Sequence, residues 1–169
     1  FIVVCGGISS YFVPAKYMSV DINPSVMMTI NIYNRVINTK PLNDDAEILL
    51  SKTDVSGMSV SESMDELIKK SEEIGYLNEH NKDVIVEVVD GIGKIKLPDK
   101  NYGDVEVIIE NADKADLKNA KEMGVSIAKA RAIAEYTKQN GGSIEENVHK
   151  LENQSVKEIR RNLENKSEV

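Results

Sequence analysis

The bond between Asn23 and Pro24 has a chemical option that most peptide bonds lack. An asparagine usually ages when the next residue's backbone nitrogen attacks its side-chain amide. Proline has no backbone N–H, so Pro24 closes that route. The reverse attack stays open. The Asn23 side-chain nitrogen closes on its own carbonyl carbon and expels Pro24, leaving a five-membered succinimide and a broken chain. The amide is a poor nucleophile, so the reaction needs positioning and a base. The leaving nitrogen needs a proton. The developing oxyanion needs a donor, for which backbone N–H groups of the turn are candidates. Asp21 lies two residues back, on the same strand face as Asn23, and is the candidate base. Ser25, next to the leaving group, is the candidate proton donor. An acyl shift to a hydroxyl or thiol, the rival route, requires Ser, Thr or Cys where Pro24 stands. As a bare dipeptide, Asn-Pro is a turn former. Its setting decides between turn and cleavage site.

That setting is a hairpin. Met18 to Ile22 alternates, with Met18, Val20 and Ile22 on one face and Ser19 and Asp21 on the other. Val26 to Ile32 repeats the pattern, with Val26, Met28, Ile30 and Ile32 inward. Asn23-Pro24-Ser25 lies between, which predicts strand, tight turn, strand. Tyr33-Asn34-Arg35 makes a second turn, with Asn34 suited to positive φ, and Val36 to Lys40 a third strand. A short helix is predicted over 44–51. A longer one opens at the Ser59/Glu62 capping box and ends near Gly75. Strands follow over 83–90 and 105–110, joined by a Gly-, Lys- and Asp-rich connection with a short strand at 95–97. The last third reads as helices: 116–123 ending at Gly124, then helices opened by Ser126, Ser143/Glu146 and Ser155/Glu158. Strands early, then helix, strands and helices predict an α+β fold, an antiparallel meander with later strands, packed by helices.

With 169 residues the chain has room for one domain with a proper core. A net charge of −7 argues against a nucleic-acid binder. The absence of Trp and the presence of two Phe leave a stacked-aromatic glycan platform poorly supplied. Cys5 stands alone and excludes an internal disulfide. His80 and His149 have no partners at metal-binding spacing, so neither metal nor cofactor is expected. Gly91-Ile92-Gly93-Lys94 lacks phosphate-loop spacing and reads as a turn. Phe1 to Val13 carries no charge but is shorter than the ~20 residues a membrane span takes. It reads as the C-terminal part of a transmembrane helix, with Tyr11 and Phe12 near the interface and Lys16 just outside. A buried strand or the end of a signal peptide are the other readings. The expected division is therefore anchor (1–13), extracytoplasmic domain (14–164) and the start of a linker (165–169).

The run Tyr17-Met18-Ser19-Val20-Asp21-Ile22-Asn23-Pro24-Ser25, with Asn31-Ile32-Tyr33-Asn34-Arg35-Val36-Ile37 after it, resembles the extracytoplasmic domain of the RsgI family. These are transmembrane anti-sigma factors of Gram-positive bacteria. The family pattern is V-S-V-D-I-N-P-S, a second strand, N-R-x-G-R-V-I and then L-N-x-D-x, which Leu42-Asn43-Asp44-Asp45 fits. Asn34 departs from the usual Gly, and the 91–104 connection is longer. The likeness extends over most of Tyr17 to Leu163. It implies a single-pass membrane protein whose domain cuts itself once, between Asn23 and Pro24, rather than a turnover enzyme. The pieces stay associated until sensing separates them. An intramembrane protease then acts on the anchor and frees a sigma factor held by a cytoplasmic domain outside this chain. A carbohydrate-sensing module often follows on the C-terminal side, and the domain itself is expected to be a monomer. Two other readings stand beside this one. The domain is a non-cleaving scaffold between a membrane anchor and a distal polysaccharide sensor, or a glycan sensor in its own right.

Overall fold

A computed structural model describes residues 10–91, 94–95 and 102–167. Residues 1–9 of the expected anchor, most of the expected strand at 95–97 and residues 168–169 lie outside the described residues. Among the described residues no helix is long and apolar enough to cross a membrane.

Five strands form one sheet: β1 (Lys16–Asp21), β2 (Ser25–Ile30), β3 (Val36–Pro41), β4 (Asp83–Val89) and β5 (Glu106–Asn111), in the order β3-β2-β1-β4-β5. The helices are α1 (Asp44–Lys52), α2 (Val60–Glu73), α3 (Lys114–Met123), α4 (Ile127–Asn140), α5 (Ile144–Leu151) and α6 (Val156–Ser167). This is the α+β architecture the strand and helix patterns predict, with the helical C-terminal third in place. The capping boxes at Ser59/Glu62 and Ser143/Glu146 are formed, as is one at Asp113/Asp116. At each, a side-chain oxygen takes up an N–H that the first helical turn leaves unpaired.

One expectation fails locally. Ile32 does not continue β2 inward. The ladder with β3 is irregular between Thr29 and Ile30, and Ile32 lies in the turn, 38% exposed. Asn31 takes the buried position instead. Its Oδ1 accepts from the backbone N–H groups of Tyr33 (2.9 Å) and Arg35 (3.0 Å). A side chain that satisfies the turn's own donors ends the strand there.

β1 is the central strand, antiparallel to β2 on one side and to β4 on the other, while β4 and β5 are parallel. Met18, Val20 and Ile22 join Val26, Met28, Val84 and Val86 in the main core, which α1 and α2 cover. The opposite face of the sheet packs on α3 and α4 through Met27, Val89, Leu117, Ala120 and Ile127. There the alternation of β1 places polar groups indoors: Ser19 and Asp21 are buried, as is Glu87 across from Ser19 on β4.

Gly91 sits where β4 ends beside the chain entering β1. A Cβ there would lie 1.8 Å from the Ala15 carbonyl oxygen, which is backbone and cannot swing away. This close approach accounts for a glycine in the Gly91-Ile92-Gly93-Lys94 run without any phosphate. The Gly91→Ala protein is expected to lose on the order of 3 kcal/mol of stability, read as a lower urea midpoint at unchanged slope.

Candidate functional site

The β1–β2 ladder closes at Asp21 opposite Ser25, leaving Ile22, Asn23 and Pro24 to turn the chain. The Ile22 N–H donates to the Pro24 carbonyl at 2.7 Å, which closes a tight three-residue loop. Asn23 pays no steric allegiance to the extended region that a following proline favours. Its φ is +61°, in the left-handed region. That conformation costs an L-residue roughly 1–2 kcal/mol, less for Asn than for most, and persists where surroundings over-determine it.

The surroundings do so on both flanks. Asn81, from the α2–β4 connection, donates its Nδ2 to the Ile22 carbonyl at 2.9 Å and to the Tyr76 carbonyl at 2.8 Å. Asn43, the N-cap of α1, accepts the Ser25 N–H at 3.1 Å and the Ala46 N–H at 3.0 Å on its Oδ1. The residues before and after Asn23-Pro24 are thus pinned to two different elements. Asn23 itself is exposed and Pro24 is buried. The Ile22 and Ser25 N–H groups, both candidates for an oxyanion, are engaged elsewhere in this arrangement.

Beneath the turn lies Asp21, 6% exposed. The Ser25 hydroxyl donates to its Oδ1 at 2.6 Å. Its Oδ2 is buried and has no hydrogen-bond partner. Burial pushes the Asp21 carboxyl above the usual 3.8, against the opposing pull of Ser25, Ser126, Lys129 and Arg160. Ser126 and Lys129 belong to the start of α4. The Ser126 hydroxyl accepts the Lys129 N–H at 3.1 Å and caps that helix, so it lies close to Asp21 without bonding to Oδ2. Burial holds the Lys129 ammonium below its ordinary range, with Asp21 the first of the acids acting the other way. Its Nζ donates to the Glu152 carbonyl at 2.5 Å. A cleft of about 670 Å³ opens at the tip, with Asn23, Asp44, Lys129, Gln154 and Lys157 in its walls. Among the described residues no cluster of His, Cys, Asp or Glu is arranged to hold a metal ion.

The same face carries a second charged group further along. Arg131 reaches Glu87 at 3.1 Å, Glu110 at 3.6 Å and Asp116 at 3.9 Å; Arg160 grips Glu110 with two bonds of 2.8 Å and approaches Glu87 at 3.7 Å. Burial, with Glu110 beside it, raises the Glu87 carboxyl to about 7. Raised pKa means that the folded state holds the proton more tightly than the unfolded one. The stability this contributes is full below 4.5 and is lost as pH rises through about 7. The Glu87→Gln protein is expected to lack that slope, which thermal melts across the window would read directly.

All four site residues named from the sequence meet at the tip, but in a different arrangement. Asp21 bonds to Ser25 and makes no hydrogen bond to Asn23. Asn43, Asn81, Ser126 and Lys129 complete the surroundings. Asn43 carried a signal, since an Asn before an acidic first turn is an N-cap, and Ser126 read as a helix start. Nothing near Asn81 or Lys129 in the chain points to residue 23.

The fold and tip define a class: a small α+β domain whose central strand ends in a strained Asn-Pro turn under a helical layer. The chain belongs to the family of the anti-sigma factor RsgI-like central domain, whose family model matches residues 15–135. It is 29% identical over 167 residues to anti-sigma-I factor RsgI7 of Acetivibrio thermocellus, covering 89% of this chain and 31% of that one. Anti-sigma-I factor RsgI5 of the same organism is 39% identical over 70 residues, 41% of this chain and 15% of that one. RsgI9 is 31% identical over 109 residues, 64% and 14% respectively. The chain therefore spans less than a third of the length of these curated relatives.

Proposed function

We propose that this domain cuts itself once between Asn23 and Pro24, as the extracytoplasmic part of a single-pass membrane anti-sigma factor. The observation that supports this best is the left-handed Asn23, pinned on both flanks, directly above a buried Asp21–Ser25 pair. In the reaction the exposed Asn23 amide folds back towards Asp21. Asp21 accepts a proton from Nδ2 as that nitrogen bonds to the Asn23 carbonyl carbon. The bond to Pro24 breaks, and Ser25 relays the proton to the Pro24 nitrogen. One C–N bond forms, one breaks and one proton moves, so no water is consumed until the succinimide opens.

The short fragment would not leave by itself. It keeps β1, which is hydrogen-bonded on both edges. Met18, Val20 and Ile22 are at most 3% exposed. Burial of each contributes ~1.5–3 kcal/mol as an upper estimate. Separation requires opening the sheet at its centre, which suits a catch that an outside signal must release. On this reading the anchor then becomes accessible to an intramembrane protease and a sigma factor is freed; a C-terminal module that senses polysaccharide supplies the stimulus.

Intact mass under denaturing conditions tests the proposal. Two fragments split after Asn23 are expected, at first summing to the mass of the uncut chain and later gaining one water. Under native conditions they should elute as one species. A single uncut chain after long incubation would leave the scaffold reading, a non-cleaving link between anchor and distal sensor.

A further inference from the structure

The end of the sheet opposite the tip carries the densest exposed apolar surface among the described residues. Four of the seven exposed large hydrophobic residues gather there: Phe12 (64% exposed), Val13 (50%), Ile32 (38%) and Tyr33 (54%). They come from two separate segments that are tied together. The buried Asn31 donates Nδ2 to the Tyr11 carbonyl at 2.9 Å, Ser10 and Tyr33 share a hydrogen bond of 3.1 Å, and the Tyr11 ring stacks on Tyr33 with centroids 6.4 Å apart. The patch is a built surface, since the β2–β3 turn is held against the chain that enters β1.

Positive charge lies next to it. Lys114, Lys118 and Lys121 share one face of α3 and line a groove with Ala15 and Tyr17. Lys121 stands 4.0 Å over the Tyr17 ring and also borders a groove with Phe12. Asp90 and Glu122 are the acids of the first groove, and Glu122 pairs with Lys118 at 3.7 Å. In a chain of net charge −7 this face is set apart. Residues 1–9, which precede Ser10 in the sequence, contain no charged side chain.

We infer that this end of the domain docks on an anionic lipid bilayer, with Phe12, Val13, Ile32 and Tyr33 at the headgroup level and the α3 lysines facing acidic lipid. The inference rests on the membrane attachment proposed above and adds a second contact, made by the β2–β3 turn. Tyrosine and phenylalanine suit that depth because their rings are apolar and, for Tyr, one tip is wet. Lysines beside them meet the negative surface potential of acidic headgroups. The docked orientation sets the scissile turn away from the lipid, since the six residues of β1 rise ~3.3 Å each and put the turn about 20 Å above it.

The chain has no Trp, so a single introduced indole reports its own surroundings. Three full-chain variants, Tyr33→Trp, Phe12→Trp and Ile109→Trp, would be bound to phosphatidylcholine–phosphatidylglycerol vesicles carrying brominated acyl chains. Ile109, 47% exposed on β5, is the control away from the patch. The expected result is a blue shift and several-fold stronger quenching for Tyr33→Trp than for Ile109→Trp, similar to Phe12→Trp. Ile32→Trp in the same turn should repeat it. Omitting phosphatidylglycerol should weaken the Tyr33→Trp signal; an unchanged signal overturns the anionic assignment. Quenching of Phe12→Trp alone overturns docking of the turn, and quenching of neither overturns lipid as the occupant. Emission does not depend on chain cutting, so this outcome and that of the mass measurement at Asn23 are read separately.

Discussion

Replacing Asn23 is expected to abolish chain scission: on the proposed mechanism both Asn23→Ala and Asn23→Gly should give one intact mass where the parent should give two. The two variants separate nucleophile from strain. Each removes the amide nitrogen that must attack. Alanine is then left at φ +61°, where an L side chain other than Asn is disfavoured by roughly 1–2 kcal/mol. Glycine adopts that φ freely. The Asn23→Ala protein is therefore expected to unfold at lower denaturant than Asn23→Gly, with neither cut. Scission that persists in either would show that the attacking group is not the Asn23 side chain. Two fragments split elsewhere would point to an ordinary protease.

Replacing Asp21 by asparagine is expected to slow scission by about 10²- to 10⁴-fold, the range for losing a positioned base, while raising stability at pH values where Asp21 is ionised. The opposition of the two effects is what makes the variant informative. Asp21 is buried, and its carboxyl is pushed above the ordinary range chiefly by desolvation. Its contribution to folding is full below the unfolded pKa and lost as pH rises through the raised folded one. Above that range the buried carboxyl is therefore a burden on the fold, and the isosteric amide relieves it. Asparagine keeps an Oδ1 that can accept from Ser25 and places an amide N–H where Oδ2 has no partner, near the Ser126 hydroxyl. In the parent the cutting rate should rise with pH as Asp21 ionises, at a pH above that of an exposed aspartate. A parent-like rate in Asp21→Asn would remove Asp21 from the mechanism; loss of both rate and stability would make its role structural.

Most of the elements were legible because they rest on local rules. The alternation of Met18, Val20 and Ile22 defines a strand with one apolar face. Ser59 with Glu62, and Ser143 with Glu146, mark helix starts through bonds within a single turn. The misplacement of Ile32 shows the limit of the same reasoning. Period two continues through it, but the buried Asn31 ends the strand by bonding to the turn, a competition that a hydrophobic pattern does not register. The site followed the same division. Asn23, Pro24, Asp21 and Ser25 are neighbours in the chain and were found together. Asn81 and Lys129 reach the tip from distant segments, and no spacing links them to it.

By itself the sequence determined the hairpin and which ring closure is open to the Asn-Pro bond at its tip. Pro24 lacks an N–H, so Asn23 has one ring-closing attack left that involves the backbone, and this follows from covalent structure alone. The tertiary structure decided what surrounds that bond. β4, some sixty residues on, pairs with the free edge of β1 and makes it the central strand of the sheet. α4 covers the polar face of that strand, so Asp21 sits out of water with a raised carboxyl pKa rather than facing solvent. Burial and long-range pairing are sums over contacts from the whole chain. They set an Asn-Pro dipeptide, ordinary in a loop, at a left-handed turn above a desolvated carboxyl group.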